Sequence, residues 1–299
     1  MNKERKENDA AGSIGTLSIV ATPIGNLSDF SERAIETLQN SDLIAAEDTR
    51  NSVKLLNRFG IRTPMTSYHE YNRFDKADEL VEKMKAGLNV SCITDAGMPG
   101  ISDPGEVLVR KAVDAGVRVT VVPGATASLS ALVISGLPTG RFRFEGFLPP
   151  EKAKRDAILA EIRYDTATLL FYEAPHHLRK TLNDLLAALG DRRIALCREL
   201  TKLHEEVQRT TIAEASAYYE AHEPRGEYVL VVEGASKSEK EEKEAQAWAD
   251  VPLSEHVESY LRKGLSRNEA MKAAADDRKI TKREVYQALL REKEGEASV

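Results

Sequence analysis

Four loops carry residues whose types could hold a small ligand. They are Thr22-Pro23-Ile24-Gly25-Asn26, Glu47-Asp48-Thr49-Arg50, the run Asp95-Ala96-Gly97-Met98-Pro99-Gly100-Ile101-Ser102-Asp103-Pro104-Gly105, and Pro123-Gly124-Ala125-Thr126-Ala127. None has the Gly-x-Gly-x-x-Gly spacing of a dinucleotide site or the Gly-Lys-Ser/Thr ending of a triphosphate loop. The first, third and fourth contain no Lys or Arg, and the third holds Asp95 and Asp103. A phosphate favours cationic side chains beside it. This neutral-to-acidic lining suits instead a ligand approached by backbone and bearing positive charge and apolar bulk. S-adenosylmethionine, a sulfonium with an adenine edge and no phosphate, meets those terms.

Transfer of a sulfonium methyl is an in-line displacement in which the charges cancel as the bond forms. A dry cleft and accurate positioning therefore matter most, and a general base adds roughly 10²–10⁴-fold. Glu47, Asp48, Glu173, Glu199 and Lys202 all fall at or just beyond the ends of apolar runs, where such a group would be needed. Each has a second reading. Asp48 with Arg50 can cap the following helix, and Glu199 with Lys202 can form a structural ion pair; sequence leaves both open. His69 and His176 sit in motif-like stretches, but no His-Glu-x-x-His or Cys-x-x-Cys spacing occurs, so no metal site is expected.

The loops follow short apolar runs at 17–21, 43–46, 90–94 and 117–122. These are continuous rather than alternating, as strands buried on both faces of a parallel sheet require. Helical stripes lie between them: Ala34, Ile35 and Leu38; Val53, Leu55, Leu56 and Phe59, stopped at Gly60; and Leu80, Val81 and Met84, stopped at Gly87. The alternation predicts an α/β fold with ligands beyond the carboxyl ends of its strands. The uncharged stretch 119–140 is broken by Pro123-Gly124, Gly136 and Pro138 and studded with hydroxyls. It reads as a strand, a tight loop and a buried helix rather than a membrane span. Beyond Gly140, strands are predicted at 142–147, 168–172, 194–199, 207–212 and 228–232, with helices at 151–163 and 177–189. The close spacing of the last strands predicts an antiparallel edge and a mixed sheet.

With 299 residues, 41% hydrophobic and 30% charged, the chain is globular and long enough for two domains. A net charge of −6 argues against coating nucleic acid by bulk attraction. The expected division is a flexible tail at 1–15, an N-terminal α/β domain at 16–138, a C-terminal α/β domain at 139–235, a Glu/Lys-rich linker at 236–250 and a helix-turn-helix-like appendage at 251–299. Cys92 and Cys197 lie in apolar runs, and the charged N-terminus lacks an apolar stretch, so a reduced, cytoplasmic setting is expected. Basic residues gather at Arg141, Arg143, Lys152, Lys154, Arg155 and Arg163, then at Arg192, Arg193, Arg198 and Lys202, interleaved with Glu145, Glu151, Asp156 and Glu161.

The run Ile19-Val20-Ala21-Thr22-Pro23-Ile24-Gly25-Asn26-Leu27, with Glu47-Asp48-Thr49-Arg50 and the 95–105 loop, resembles the tetrapyrrole-methylase superfamily, and more narrowly its ribosomal RNA small subunit methyltransferase I (RsmI) branch. Tyr68-His69-Glu70, Glu145-Gly146-Phe147-Leu148-Pro149, Phe171-Tyr172-Glu173-Ala174-Pro175-His176 and Arg198-Glu199-Leu200-Thr201-Lys202 extend the likeness over residues 17–233. The resemblance implies a two-domain fold with S-adenosylmethionine in the cleft, a homodimer, and 2′-O-methylation of a cytidine in the decoding region of 16S ribosomal RNA. It assigns to the cofactor Pro23, Gly25 and Asn26; Asp95, Ala96, Gly97, Pro99, Gly100, Ser102 and Asp103; Pro123, Gly124, Ala125 and Thr126; and Tyr172. It places Glu173, Glu199, Lys202, Asp48 and Arg50 near the ribose. Met98, Ala125 and His177 depart from the branch's usual Thr, Pro and Arg. Two other readings remain: C-methylation of a tetrapyrrole, against which the basic residues and the appendage weigh, and a non-catalytic ribosome-binding factor.

Overall fold

The structure, a computed structural model, describes residues 14–248 and 251–296; most of the tail expected at 1–15 lies outside them. The first sheet comprises β1 (Thr16–Val20), β2 (Leu43–Ala46), β3 (Met65–Ser67), β4 (Val90–Ile93) and β5 (Arg118–Val122), all parallel, in the order β3-β2-β4-β1-β5. Helices α1 (Glu32–Gln39), α2 (Thr49–Arg58), α3 (Arg73–Lys85) and α4 (Gly105–Asp114) cover its faces. The continuous apolar runs have a direct cause. Leu17, Ile19, Val90 and Cys92 feed one core with Leu80, Met84 and Leu108, while Val20, Ile44 and Ile93 feed another with Leu38 and Leu56. Alternate side chains of a strand point to opposite faces, so burial on both favours apolar residues; the buried Ser91 hydroxyl in β4 is satisfied by Ser41 Oγ at 2.6 Å.

The second sheet contains β6 (Phe142–Phe147), β7 (Thr168–Glu173), β8 (Arg193–Arg198), β9 (Glu206–Thr211) and β10 (Tyr228–Val232), in the order β6-β7-β10-β8-β9. Only β6–β7 is parallel, which gives the expected mixed sheet. On one face pack α6 (Lys152–Ile162), α7 (Leu178–Leu189) and α8 (Ile212–Ala221). The other face is covered by α5 (Ala127–Ser135), whose Ala131 and Leu132 meet Leu170, Ala195, Cys197 and Val231. Thus α5 leaves the last loop of the first sheet and seats itself on the second, holding the two together beside that loop. Among the described residues no helix is long and apolar enough to cross a membrane.

The segment read as a linker folds as α9 (Lys237–Ala247), opened by a capping box in which Ser236 and Glu239 bond each other's backbone amides. The appendage has three helices rather than two: α10 (Leu253–Arg262), α11 (Arg267–Asp277) and α12 (Lys282–Glu296). Their small core is built on Leu253, Val257, Ala270, Ala274 and Val285. His256 lies fully buried within it, stacked 3.5 Å from the Trp248 ring. Its Nδ1 accepts from Arg278 Nε at 3.0 Å and its Nε2 lies 3.1 Å from Asp277 Oδ2, a pattern that needs a neutral ring carrying its proton on Nε2.

Burial lowers the His256 pKa below 6.5, with Arg278 and Lys263 adding to the effect and Asp277 opposing it. The neutral ring is therefore favoured in the fold. Its contribution is complete above the unfolded value of about 6.5 and is lost as pH falls from there through the folded pKa. Emission from Trp248, the only tryptophan, is expected to titrate with a midpoint below 6.5. A midpoint at or above 6.5 would contradict this packing.

Candidate active site

The site begins at a clasp between the loops after β1 and β4. Thr22 N donates to Gly97 O at 2.9 Å and Gly97 N returns to Thr22 O at 3.1 Å, while Thr22 Oγ1 donates to Thr94 O at 3.1 Å. Gly97 adopts φ +88°, a conformation open to glycine and costly for other residues. Farther along, the chain doubles back so tightly that a Cβ on Gly105 would lie 2.7 Å from Gly100 N. Tyr68 Oη donates to Pro104 O at 2.9 Å and pins the end of this turn.

A cavity opens between the carboxyl edge of the first sheet and the second sheet. The first sheet's loops supply Ile24, Ala96, Gly97, Met98, Ile101, Ser102, Asp103, Thr126 and Ala127; the other wall is Phe147, Tyr172, Glu173, Ala174, Cys197, Glu199, Leu200, Lys202, Glu227, Tyr228 and Val229. Of the residues expected at the cofactor, Ala96, Gly97, Ser102, Asp103, Thr126 and Tyr172 line it, as do Glu173, Glu199 and Lys202 from the group expected near the ribose. Pro23, Gly25, Asn26, Asp95, Pro99, Gly100, Pro123, Gly124 and Ala125 lie in the same loops but not among the lining residues. Asp95 accepts from Asn51 Nδ2 at 3.0 Å. Asp48 and Arg50 stand outside the cavity. Asp48 caps α2 through Arg50 N, and its carboxyl is held down to about 2 by its side-chain hydrogen bond to Arg50.

The lining is acidic. Asp103, Glu173, Glu199 and Glu227 face a single ammonium, Lys202. Burial pushes Asp103 up to about 7, and the nearby Glu47 carboxylate adds to the rise. Glu47 itself sits behind Asp103, accepting from Thr94 Oγ1 at 2.5 Å and Asp95 N at 3.3 Å. Glu173 is 6% exposed, and both its oxygens are engaged, by Ala174 N at 2.8 Å and by the Thr181 hydroxyl. It ties the end of β7 to α7.

Glu199 and Lys202 form the pair allowed for in the sequence, Nζ to Oε1 at 3.0 Å, with Glu227 Oε2 at 3.5 Å. Burial pulls the Lys202 pKa down, but Glu199 and Glu227 outweigh it and leave the ammonium firmly charged. Burial likewise raises Glu199, and its bonds to Lys202 and to Glu227 N overcome this to keep it ionised. The turn bearing the pair is strained: Glu199 and Thr201 take φ of +50° and +66°. Two glycines seat it. A Cβ on Gly25 would lie 2.4 Å from Lys202 Cγ, and one on Gly226 2.6 Å from Glu199 Cγ. Gly25, expected at the cofactor, thus makes room for Lys202.

Several of the basic residues that gather in the sequence are paired with acidic neighbours of the same chain, some of them at the surface. Arg143 pairs with Glu145 and Glu161, Lys152 with Asp156, Lys154 with Glu151, Arg193 with Glu233 and Arg198 with Glu206. Arg155 is 4% exposed; it binds Asp184 at 2.6 Å and the carbonyls of Pro149 and Pro150 at 3.0 and 2.9 Å.

Residues 16–216 match the family model of Tetrapyrrole (Corrin/Porphyrin) Methylases. Proteins named Ribosomal RNA small subunit methyltransferase I are also similar over nearly the whole chain. That of Halalkalibacterium halodurans is 47% identical, over 91% of this chain and 93% of its own length. That of Bacillus subtilis is 46% identical, over 92% and 94%. This chain belongs to the ribosomal RNA small subunit methyltransferase I family of tetrapyrrole methylases. Among solved structures, a diphthine synthase superposes with a TM-score of 0.59 at 17% identity, covering 74% of this chain and 90% of that one. A uroporphyrin-III-C-methyltransferase from Thermus thermophilus gives 0.52 at 17% identity, covering 73% and 94%. The architecture is therefore the tetrapyrrole-methylase fold, and the methyl donor of this family is S-adenosylmethionine, the ligand to which the loops themselves point.

Proposed function

We propose that this chain methylates the 2′-hydroxyl of a cytidine ribose in the decoding region of 16S ribosomal RNA, using S-adenosylmethionine, in the cytoplasm and as a homodimer. The name of these relatives supports small-subunit RNA as the substrate. The observation that carries the chemistry is the lining, four acidic side chains around one ammonium that is already paired with Glu199 and Glu227. That charge balance disfavours phosphate and favours a sulfonium and an α-ammonium. The residues present therefore fit the donor: Ala96, Gly97 and Thr126 offer a narrow backbone wall, and Tyr172, Leu200 and Val229 an apolar one. Two α/β domains, 16–138 and 139–235, would share this cleft. Val121, Leu129 and Val133, exposed on β5 and α5 at the open edge of the first sheet, offer a second copy an apolar face.

When bound, S-adenosylmethionine supplies an electrophilic methyl on positive sulfur. The protein's part is to hold the ribose hydroxyl in line and to receive the charge that develops on its oxygen. Lys202, kept protonated, cannot accept a proton; it stabilises the alkoxide that forms as the hydroxyl proton passes to the ionised Glu199 carboxylate and on to solvent, while the O–CH3 bond forms and the C–S bond breaks. Glu199 fixes the direction of that ammonium, and Glu173 holds the wall beside it. Asp48 and Arg50 act from outside, by fixing the start of α2. Asp103 is the anionic wall for the donor. Because it titrates near 7, donor affinity is expected to be level above that pH and to fall below it, by no more than tenfold per unit, as the carboxylate is neutralised. Isothermal titration should show this slope in the wild type and its loss in Asp103→Asn; an identical slope in the variant would contradict the assignment.

The function is tested by incubating purified protein with methyl-labelled S-adenosylmethionine and small subunits from cells lacking the gene. Label is expected in a single 2′-O-methylcytidine. Label on a base atom, or none, would overturn the reading.

A further inference from the structure

The last residue of β6 sits where no packing need explains it. Pairing with β7 shifts between Phe144 and Gly146, leaving Glu145 as an extra residue in the strand. Such a bulge re-aims the side chains beyond it. Gly146 takes φ +65°, and a Cβ there would stand 3.0 Å from Ser102 Oγ, so the bulge presses the strand end onto the donor loop. Phe147 consequently lines the cavity yet remains 57% exposed.

Its ring is held. Tyr172 meets it edge-to-face at 5.5 Å and is itself braced by Phe144 at 4.9 Å and by Ser128 N donating to its hydroxyl at 3.3 Å. The chain just after it is clamped by Arg155 through the Pro149 and Pro150 carbonyls. A fixed aromatic face, open to water at the mouth of a cleft, calls for a planar cover. Ile101, which lines the same cavity, adds exposed apolar surface. The acidic lining argues against a phosphate there, whereas a neutral nucleobase is repelled by nothing. A ribose presented to the donor brings its own base into this neighbourhood.

Resting on the proposed ribose methylation, the geometry points to Phe147 as the platform on which the base of the target nucleotide stacks after leaving its helix. One base on one aromatic ring contributes ~1–3 kcal/mol. The Phe147→Ala change is therefore expected to lower kcat/KM for small-subunit RNA by about five- to 150-fold. The dissociation constant for S-adenosylmethionine and the melting temperature should remain at wild-type values. Phe147→Trp should retain activity, and Phe147→Leu, apolar without a π face, should fall between Trp and Ala. The inference is overturned if Phe147→Ala acts at the wild-type kcat/KM, if its loss appears in donor binding, or if Leu serves as well as Phe. A wild-type protein that binds donor but methylates no small-subunit RNA would overturn the functional reading itself.

Discussion

Gly97→Val is expected to raise the dissociation constant for S-adenosylmethionine by at least about a hundredfold while the chain stays folded. Gly97 holds φ +88° because both its backbone groups are committed to Thr22. A β-branched residue is strained there by about 1–3 kcal/mol. Its methyls would also enter the cavity that Gly97 lines, from a Cβ already 3.4 Å from Ile24 Cγ2 and 3.6 Å from Ala125 O. Wild-type protein with donor at a hundred times its dissociation constant should gain about 2.7 kcal/mol of stability. The variant should melt cooperatively and show no shift on adding donor. Gly97→Ala, which adds only the Cβ, should lose less. Wild-type affinity in Gly97→Val would place the donor elsewhere.

The second large effect belongs to turnover. Lys202→Met is expected to lower kcat by roughly 10²–10³, the usual loss when one donor to a developing oxyanion is removed. Donor affinity should hold or rise slightly, because the ammonium repels the sulfonium across the same cavity. This split separates a charge that acts on the ribose from one that merely completes an ion pair. Gly25→Ala should reproduce part of the kcat loss, since its Cβ would displace the Lys202 stem. Single-turnover rates with small subunits as substrate measure both; an unchanged rate in Lys202→Met would remove it from the chemistry.

The first sheet was readable because β1, β2 and β4 are buried on both faces and leave apolar runs; β5, expected to be buried likewise, is an edge strand and largely exposed. Strand β3 was not readable, since Met65–Ser67 is three residues long and only half-buried. The helix within the linker carried a signal in Ser236 and Glu239, a capping box obscured by the Glu/Lys richness around it. Helix α10 was missed because its buried face mixes Leu253 and Val257 with His256, which reads as polar until its ring is seen against Trp248.

The same division holds at the site. Backbone-lined loops announce themselves through glycine and proline, which have few other reasons to cluster. The opposite wall does not: Cys197, Tyr228 and Val229 lie in strands where an apolar residue looks like core whichever side it faces. Glu227 is invisible in sequence, because only the antiparallel pairing of β10 with β8 brings it to Lys202. For Asp48 and Arg50 the sequence leaves a helix cap and a site role both open. A charged pair after a strand looks like chemistry, and here its distances fit a helix cap.

Mass mapping of 16S ribosomal RNA from cells lacking the gene, complemented with either wild type or Lys202→Met, is the decisive test of ribose methylation by this site. One decoding-region cytidine is expected to lose its 2′-O-methyl group with the gene, regain it with the wild-type copy, and stay largely unmethylated with the variant. An RNA whose ribose methylation is the same in all these cells would contradict this expectation.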